Sequence, residues 1–220
     1  MTVRDATEQP IGESESINLA KPSLQELEDT ARHVIATLKS IPGYENRKIA
    51  IIGGMALWNL FPEGRTTEDV DFVVTGHNVP KSIKERLVTL KNGSFGQTAQ
   101  NFFYRHPSGK EIQIDMVPEF QCRHISSVAM PVASWTENHK LPYASGLDIL
   151  VLKIYSCGLR ADDAKKKKDA QDAAQLLNAL PTEGPVALDA NQRQLVQDGL
   201  GAILKETGTD MEWWRRYLEF

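Results

Sequence analysis

Cysteine is nearly missing from this sequence. The chain of 220 residues has two, Cys122 and Cys157, and neither belongs to a CxxC pair or to a Cys/His cluster. Their number excludes a disulfide framework, and their spacing excludes a cysteine zinc site. Because reduced thiols are typical of proteins that stay inside the cell, we expect a cytoplasmic protein.

Long apolar runs are missing as well. No stretch approaches the roughly 20 apolar residues that a membrane-spanning helix needs. The opening MTVRDATEQPIGESESINLA has no continuous apolar core of the kind found in signal peptides. We therefore expect a soluble chain without a membrane partner. Hydrophobic residues still make up 41% of the sequence, which is an ordinary value for a globular protein with a buried core.

An excess of positive charge is also lacking. The formal net charge is −4, whereas proteins that bind long nucleic acids usually carry a basic field. Long nucleic acid is therefore not an expected partner. A local basic strip between Arg160 and Lys168 is nevertheless compatible with the end of a tRNA as a partner.

The order of the patterns predicts an α/β unit followed by helices. Residues 1–20 form a polar tail, residues 21–143 an α/β domain and residues 144–220 a helical domain. The first helix has a capping box at its start, with Ser23 as the N-cap and Glu26 three residues later. Periodicity and turn residues then predict strands in KIAII, EDVDFVV, NFFYRH and KEIQIDMV, and helices in MALWNLF, PKSIKERLVTLK and four C-terminal segments, the last being TDMEWWRRYLEF.

Two aspartates stand one residue apart on a predicted strand. Asp69 and Asp71 point to the same side, because side chains alternate across a strand. Carboxylates this close repel one another unless a cation lies between them, and oxygen ligands are what Mg²⁺ prefers. A later strand supplies a third carboxylate, Asp115, with Glu111 and Gln113 on the same face. The pattern predicts a site for Mg²⁺ or Mn²⁺.

Gly53 and Gly54 stand where a predicted strand turns into a helix. Backbone N–H groups at the start of a helix favour anions, and residues without a Cβ atom allow a phosphate to approach closely. A phosphate cradle beside a carboxylate trio is typical of phosphoryl or nucleotidyl transfer with two metal ions. Taken alone, the glycine pair is equally compatible with a tight turn.

The order of these features resembles the nucleotidyltransferase superfamily, whose members share the DNA polymerase β-like fold, and within it the small AbiEii-type enzymes. The resemblance covers residues 47–117 and extends more loosely to residue 180. It implies a short mixed sheet with flanking helices, followed by a helical bundle that closes the cleft. The residues that carry it are Gly53, Gly54, Arg65, Thr67, Asp69, Asp71 and Asp115.

The resemblance also implies residue roles. Asp69 and Asp71 would bind both metal ions, and Asp115 would act near the acceptor hydroxyl as a ligand or base. The glycine pair would hold the triphosphate. In the helical half, the residues that match the looser pattern are Lys153, Arg160, the pair Lys168-Asp169 and Asp172. Lys153 and Lys168 are therefore candidate phosphate-binding residues, together with Arg65 and Thr67.

For several of these residues, a purely structural role is the alternative to substrate binding. Arg65 and Thr67 can brace the turn instead of contacting substrate, and this role is the favoured one. Lys153 falls in an apolar helix, where a lysine either reaches solvent or pairs with an anion. Four consecutive lysines at 165–168 cannot share one side of a helix, so most of them face solvent. Trp213 and its neighbour Trp214 are expected to anchor the last helix in the core.

The expected activity is metal-dependent transfer of a nucleoside monophosphate from a nucleoside triphosphate (NTP) to an acceptor hydroxyl, with release of pyrophosphate. The alternative is a protein with the same fold that no longer transfers nucleotides, and that acts as a binding partner or uses its cleft for other chemistry. Fold alone does not decide between them. The sequence leaves open the acceptor (a small molecule, a protein or a tRNA end), the preferred base and the oligomeric state.

Overall fold

The computed structural model describes residues 20–91, 93–179 and 184–220. The polar tail predicted over residues 1–20 therefore lies outside the described residues, except for Ala20. Within these residues, no helix combines the length and the apolar character needed to cross a membrane.

A six-stranded mixed sheet forms the first part of the chain. Its spatial order is β3-β4-β5-β2-β1-β6, in which β2 and β5 are parallel and the other neighbours are antiparallel. The strands are β1 (Lys48–Ile52), β2 (Asp69–Val74), β3 (Phe95–Gln97), β4 (Phe102–Arg105), β5 (Glu111–Pro118) and β6 (Met130–Pro131). The mixed sheet confirms the predicted fold class.

Helices flank this sheet. They are α1 (Leu24–Lys39), α2 (Gly53–Leu60), α3 (Val79–Val88) and α4 (Glu119–Cys122). The capping box predicted for the first helix is confirmed, because the Ser23 hydroxyl accepts from the Glu26 N–H and the Glu26 side chain accepts from the Ser23 N–H. The α3 helix ends at Val88, earlier than the predicted segment PKSIKERLVTLK, and the next element, the short strand β3, was not predicted.

The last part of the chain is mainly helical, with α5 (Gly146–Leu159), α6 (Asp163–Ala179), α7 (Ala190–Thr207) and α8 (Met211–Arg215). The α5 helix is buried over most of its length and packs against both α6 and α7. A small parallel sheet of β7 (Val186–Ala187) and β8 (Leu218–Glu219) accompanies these helices.

The prediction of a single helix over TDMEWWRRYLEF is wrong at its end. The helix stops at Arg215, and the backbone then pairs with the segment before α7: the Val186 N–H donates to the Tyr217 carbonyl at 2.7 Å. Trp214 is fully buried, and its indole N–H donates to Thr209 at 2.8 Å, as expected of a core anchor.

Candidate active site

The β2 and β5 strands bring the three predicted aspartates together. Asp71 lies opposite Asp115 in the parallel register, and Asp69 lies opposite Gln113. The side chains of Asp69, Asp71 and Asp115 each offer an oxygen, and these oxygens all lie within 4.8 Å of one another. Among the described residues, this is the one group of three or more His, Cys, Asp or Glu side chains placed to hold a metal ion.

The electrostatics of this trio favour a bound cation. Burial raises the pKa of Asp71 to about 7, and the negative charges of Asp69 and Asp115 contribute to the increase. The charge of Lys153 and a hydrogen bond from the Gly54 N–H act in the opposite direction. Carboxylates that repel one another at such distances are stabilised by a divalent ion with oxygen preference, so the donor set fits Mg²⁺ or Mn²⁺.

The glycine pair gives the trio its space. Gly53 is the first residue of α2 and has a φ of +69°, and a Cβ atom there would overlap the Asp71 carboxylate. A Cβ atom on Gly54 would lie 2.6 Å from the Thr67 hydroxyl oxygen. Both glycines are therefore required by side chains of the protein itself. The residue before α2, Ile52, provides no side-chain cap, and the Gly54 N–H donates to the Asp71 carboxylate instead.

Arg65 and Thr67 brace other side chains of the site. The Thr67 hydroxyl donates to Asp69 Oδ1. The Arg65 guanidinium binds Asp172 with two hydrogen bonds, of 2.7 Å from Nε and 2.5 Å from the terminal nitrogen. Because Asp172 belongs to α6, this bidentate contact joins the segment before β2 to the helical part of the chain.

Lys153 pairs with carboxylates of its own chain. Its ammonium lies 2.7 Å from Asp169 Oδ1 and 2.8 Å from Asp172 Oδ2, and its side chain is almost fully buried. The second oxygen of Asp169 accepts from Arg160 at 3.0 Å. Lys153, Arg160, Arg65 and the two aspartates thus form one ion-pair network beside the trio.

An open cleft of about 530 Å³ passes over the trio and this network. Its walls include Gly53, Gly54, Arg65, Thr67, the three aspartates, Lys153, Arg160, Lys165 and Lys168. All the site residues predicted from the sequence therefore line one cavity. Burial lowers the pKa of Lys168, and the nearby charges of Arg65 and Lys153 lower it further.

Two features of the cleft were missed in the sequence. Lys165 lines it together with Lys168, and their separation of three residues on one helix is the signal that was available. An apolar wall formed by Leu152, Tyr155 and Leu159 of α5 also lines the cleft, and Leu159 remains 66% exposed. The exposed leucine at the end of a buried helix gave no pattern by which to recognise this wall.

Comparison with solved structures reveals the fold. The chain is similar to an antigenic nucleotidyltransferase-like protein from Paracoccidioides brasiliensis, with 19% identity and a TM-score of 0.57, over 87% of this chain and 95% of that one. At this identity the similarity identifies a nucleotidyltransferase-like fold and nothing finer. No protein-family model matches the chain, and no curated protein matches it.

Two further solved structures align more weakly, each with a TM-score of 0.31. A CCA-adding enzyme of Thermotoga maritima in complex with tRNA has 12% identity over 82% of this chain and 50% of that one. MenT4, a nucleotidyltransferase toxin from Mycobacterium tuberculosis, has 13% identity over 89% and 94%. Similarity this low says nothing about the activity or the substrates of this chain.

Proposed function

We propose that this protein transfers a nucleoside monophosphate from an NTP to an acceptor hydroxyl and releases pyrophosphate. The observation that supports this proposal is the trio of Asp69, Asp71 and Asp115 beside the start of α2, in a cleft that also carries lysine and arginine side chains. Such a site combines metal ligands with anion-binding groups, as transfer to or from a nucleotide requires.

Divalent metal ions fit the trio. Asp69 and Asp71 would hold both ions, and Asp115 would complete the ligand set from the neighbouring strand. Ions bound there would neutralise the charge that develops on the transferred phosphate. The Thr67 hydroxyl contributes by fixing the orientation of the Asp69 carboxylate.

The rest of the cleft suits an NTP. The triphosphate would lie beside Gly53 and Gly54 at the start of α2, where the helix dipole favours anions. Lys168 and Lys165 line the same cleft and can add positive charge around the phosphates. Lys153 is held by two aspartates, so it would act on the phosphates mainly through its charge. The wall of Leu152, Tyr155 and Leu159 would take the apolar face of the base.

The chemical step is a displacement at the α-phosphorus. The acceptor oxygen forms a bond to that phosphorus, and the bond from the phosphorus to the oxygen bridging the β-phosphate breaks. Pyrophosphate leaves with the bonding electrons, and the proton of the hydroxyl passes to Asp115. The contribution of the protein is to position the groups and to stabilise negative charge.

Within this fold, we place the chain with AbiEii-type enzymes. The proposal is supported by Lys153, Arg160, Asp169 and Asp172, which match the looser sequence pattern and form one network beside the trio. A protein of the same fold without transferase activity is the alternative. The two differ in whether an NTP and a divalent metal bind together.

Thermal unfolding with ligands tests the proposal. We expect Mg²⁺ or Mn²⁺ together with the preferred NTP to raise the unfolding midpoint, because a ligand that binds only the native state stabilises it. Asp69→Asn/Asp71→Asn should lose this shift, and Asp71→Asn should fold but lose turnover. Asp163→Asn, whose side chain is 93% exposed, is the control and should behave as the wild type. No shift with any of the four NTPs would contradict the proposal.

A further inference from the structure

A second pocket adjoins the aspartate trio. Its volume is about 740 Å³, and it shares Thr67, Asp69 and Lys168 with the cleft described above. The two cavities therefore meet at these three residues, and the rest of their walls differ. The remaining walls of the second pocket come from the segment before α1, the residues preceding β2, and the strands β4 and β5 with the residues just before each.

The floor of the second pocket is a face of the sheet. Phe103 of β4 lies opposite Gln113 of β5, and Gln113 lies opposite Asp69 of β2. Since side chains of paired residues share a face, this floor continues directly into the trio. The Gln113 amide nitrogen donates to Asp115 Oδ2 at 2.9 Å, which links the floor to the third carboxylate.

The charges of the second pocket are balanced and largely paired. Its basic side chains are Lys21, Lys110 and Lys168, and its acidic side chains are Glu68, Asp69 and Glu111. Lys21 is paired with Glu68 at 2.7 Å, Lys110 with Glu26 at 2.7 Å and Glu111 with Arg105 at 3.4 Å. A polyanion or a polycation would therefore find little net field in this pocket.

Uncharged hydrogen-bonding groups distinguish the second pocket further. It is lined by the amides of Asn101 and Gln113 and by the Thr66 hydroxyl, and the largely buried Phe103 reaches it with a small part of its surface. Amide and hydroxyl groups beside an aromatic ring are suited to a ligand with several hydroxyl groups and apolar C–H faces. The main cleft differs because Lys165 and Lys168 lie outside its ion-pair network and the aspartate trio would hold divalent ions, so it is suited to the triphosphate.

We propose that the second pocket binds the acceptor, and that the acceptor is an uncharged small molecule with several hydroxyl groups, of the saccharide or nucleoside class. This inference rests on the transferase function proposed above. One hydroxyl of the acceptor passes Asp69 and Lys168 to reach the α-phosphorus of the NTP in the main cleft. Its oxygen bonds to phosphorus, its proton goes to Asp115, and pyrophosphate leaves on the side of the main cleft.

A bulky side chain at Asn101 tests where the acceptor binds. Asn101 is exposed and lines the second pocket without lining the main cleft, so Asn101→Trp should obstruct only the former. Gln100→Trp is the matched control, because Gln100 is the adjacent exposed residue and lines neither cavity. Both variants should retain the metal-dependent thermal shift with NTP, which reports on the main cleft alone.

The transfer assay uses NTP radiolabelled on the α-phosphate and paired acceptors. The uncharged acceptors are maltotriose, myo-inositol and adenosine, the phosphorylated ones are glucose 6-phosphate and AMP, and kanamycin is the cationic one. We expect kcat/KM for an uncharged acceptor to exceed that for the charged ones by at least about tenfold. Asn101→Trp should reduce this transfer by at least about tenfold, while Gln100→Trp should not.

Three results would overturn the inference. They are faster transfer to a phosphorylated or cationic acceptor, full transfer by Asn101→Trp, and a metal-dependent NTP shift without labelling of any uncharged acceptor. In each case NTP binding is retained, so the proposed transferase function survives. Absence of the NTP shift in the wild type would instead remove the transferase function, and this inference with it.

Discussion

At the scale of single residues, the Asp71 carboxylate explains why α2 begins with a glycine, Gly53. Gly53 has a φ of +69°, and a Cβ atom there would overlap Asp71. Gly53→Ala should therefore cost about 1–2 kcal/mol for the left-handed backbone, and it should also displace Asp71 from the trio. We expect both a lower unfolding midpoint and the loss of metal-dependent stabilisation by NTP.

A substitution at Gly208 separates the cost of the left-handed backbone from the displacement of Asp71. Gly208 also has a φ of +69°, but a Cβ atom there would meet no atom within 4 Å. Gly208→Ala should therefore lower the midpoint through the backbone cost alone and keep the metal-dependent shift. If Gly53→Ala also kept the full shift, the close packing of Gly53 against Asp71 would have no functional role.

At the scale of helices and strands, glycine sets how closely α5 and α7 approach. A Cβ atom on Gly199 of α7 would overlap the Ile154 carbonyl oxygen of α5, and one on Gly158 would lie 3.0 Å from the Gly199 Cα atom. Gly199→Ala should force the helices apart and destabilise the protein by about 1–3 kcal/mol. Chemical denaturation of the wild type and of Gly199→Ala measures this difference in the free energy of unfolding.

The control variant lies on the same helix. A Cβ atom on Gly201 would meet nothing within 4 Å, so Gly201→Ala should stabilise the protein by about 0.5–1 kcal/mol through its helix propensity. Opposite signs for the two variants are expected. Equal and favourable effects would mean that the α5–α7 contact adjusts without cost.

Elements and site were predictable from the sequence to different extents. The pairing of Asp69 with Asp71 follows from the alternation of side chains along one strand, which is a local regularity. The partners of Lys153 were not predictable, because its contacts with Asp169 and Asp172 depend on how α6 packs against α5. The strands β3, β6, β7 and β8 were missed because segments of two or three residues carry no readable alternation.

At the scale of the whole molecule, Arg65 joins the segment before β2 to α6. Its two hydrogen bonds to Asp172 span 107 positions of the chain, and the Asp172 side chain is 4% exposed. Lysine keeps the charge but cannot form both bonds, so Arg65→Lys should destabilise the protein by about 1.5 kcal/mol or more. Arg216→Lys is the control: its pair with Glu212 is exposed and 3.9 Å long, and its unfolding free energy should change by less than about 0.5 kcal/mol.

The start of α5 is joined to the segment after α4 by a buried carboxylate. Asp148 accepts hydrogen bonds of 2.6 Å from each of His124, Ser126 and Ser145. Burial alone would raise the pKa of Asp148, but these hydrogen bonds lower it from 3.8 to about 2. A carboxyl group whose pKa is lower in the folded than in the unfolded state stabilises the fold only when it is ionised.

The stability of the protein should therefore depend on pH through Asp148. The contribution of its lowered pKa, roughly 2 kcal/mol, is complete above the unfolded pKa of 3.8 and is lost as the pH falls towards 2. Denaturant unfolding of the wild type and Asp148→Asn between pH 7 and pH 2 measures it. We expect the wild type to be more stable at pH 7 and the difference to shrink below pH 4. Asp163→Asn, with its exposed side chain, is the control and should match the wild type at every pH. If the stability difference between the wild type and Asp148→Asn did not change with pH, packing rather than ionisation would stabilise this junction.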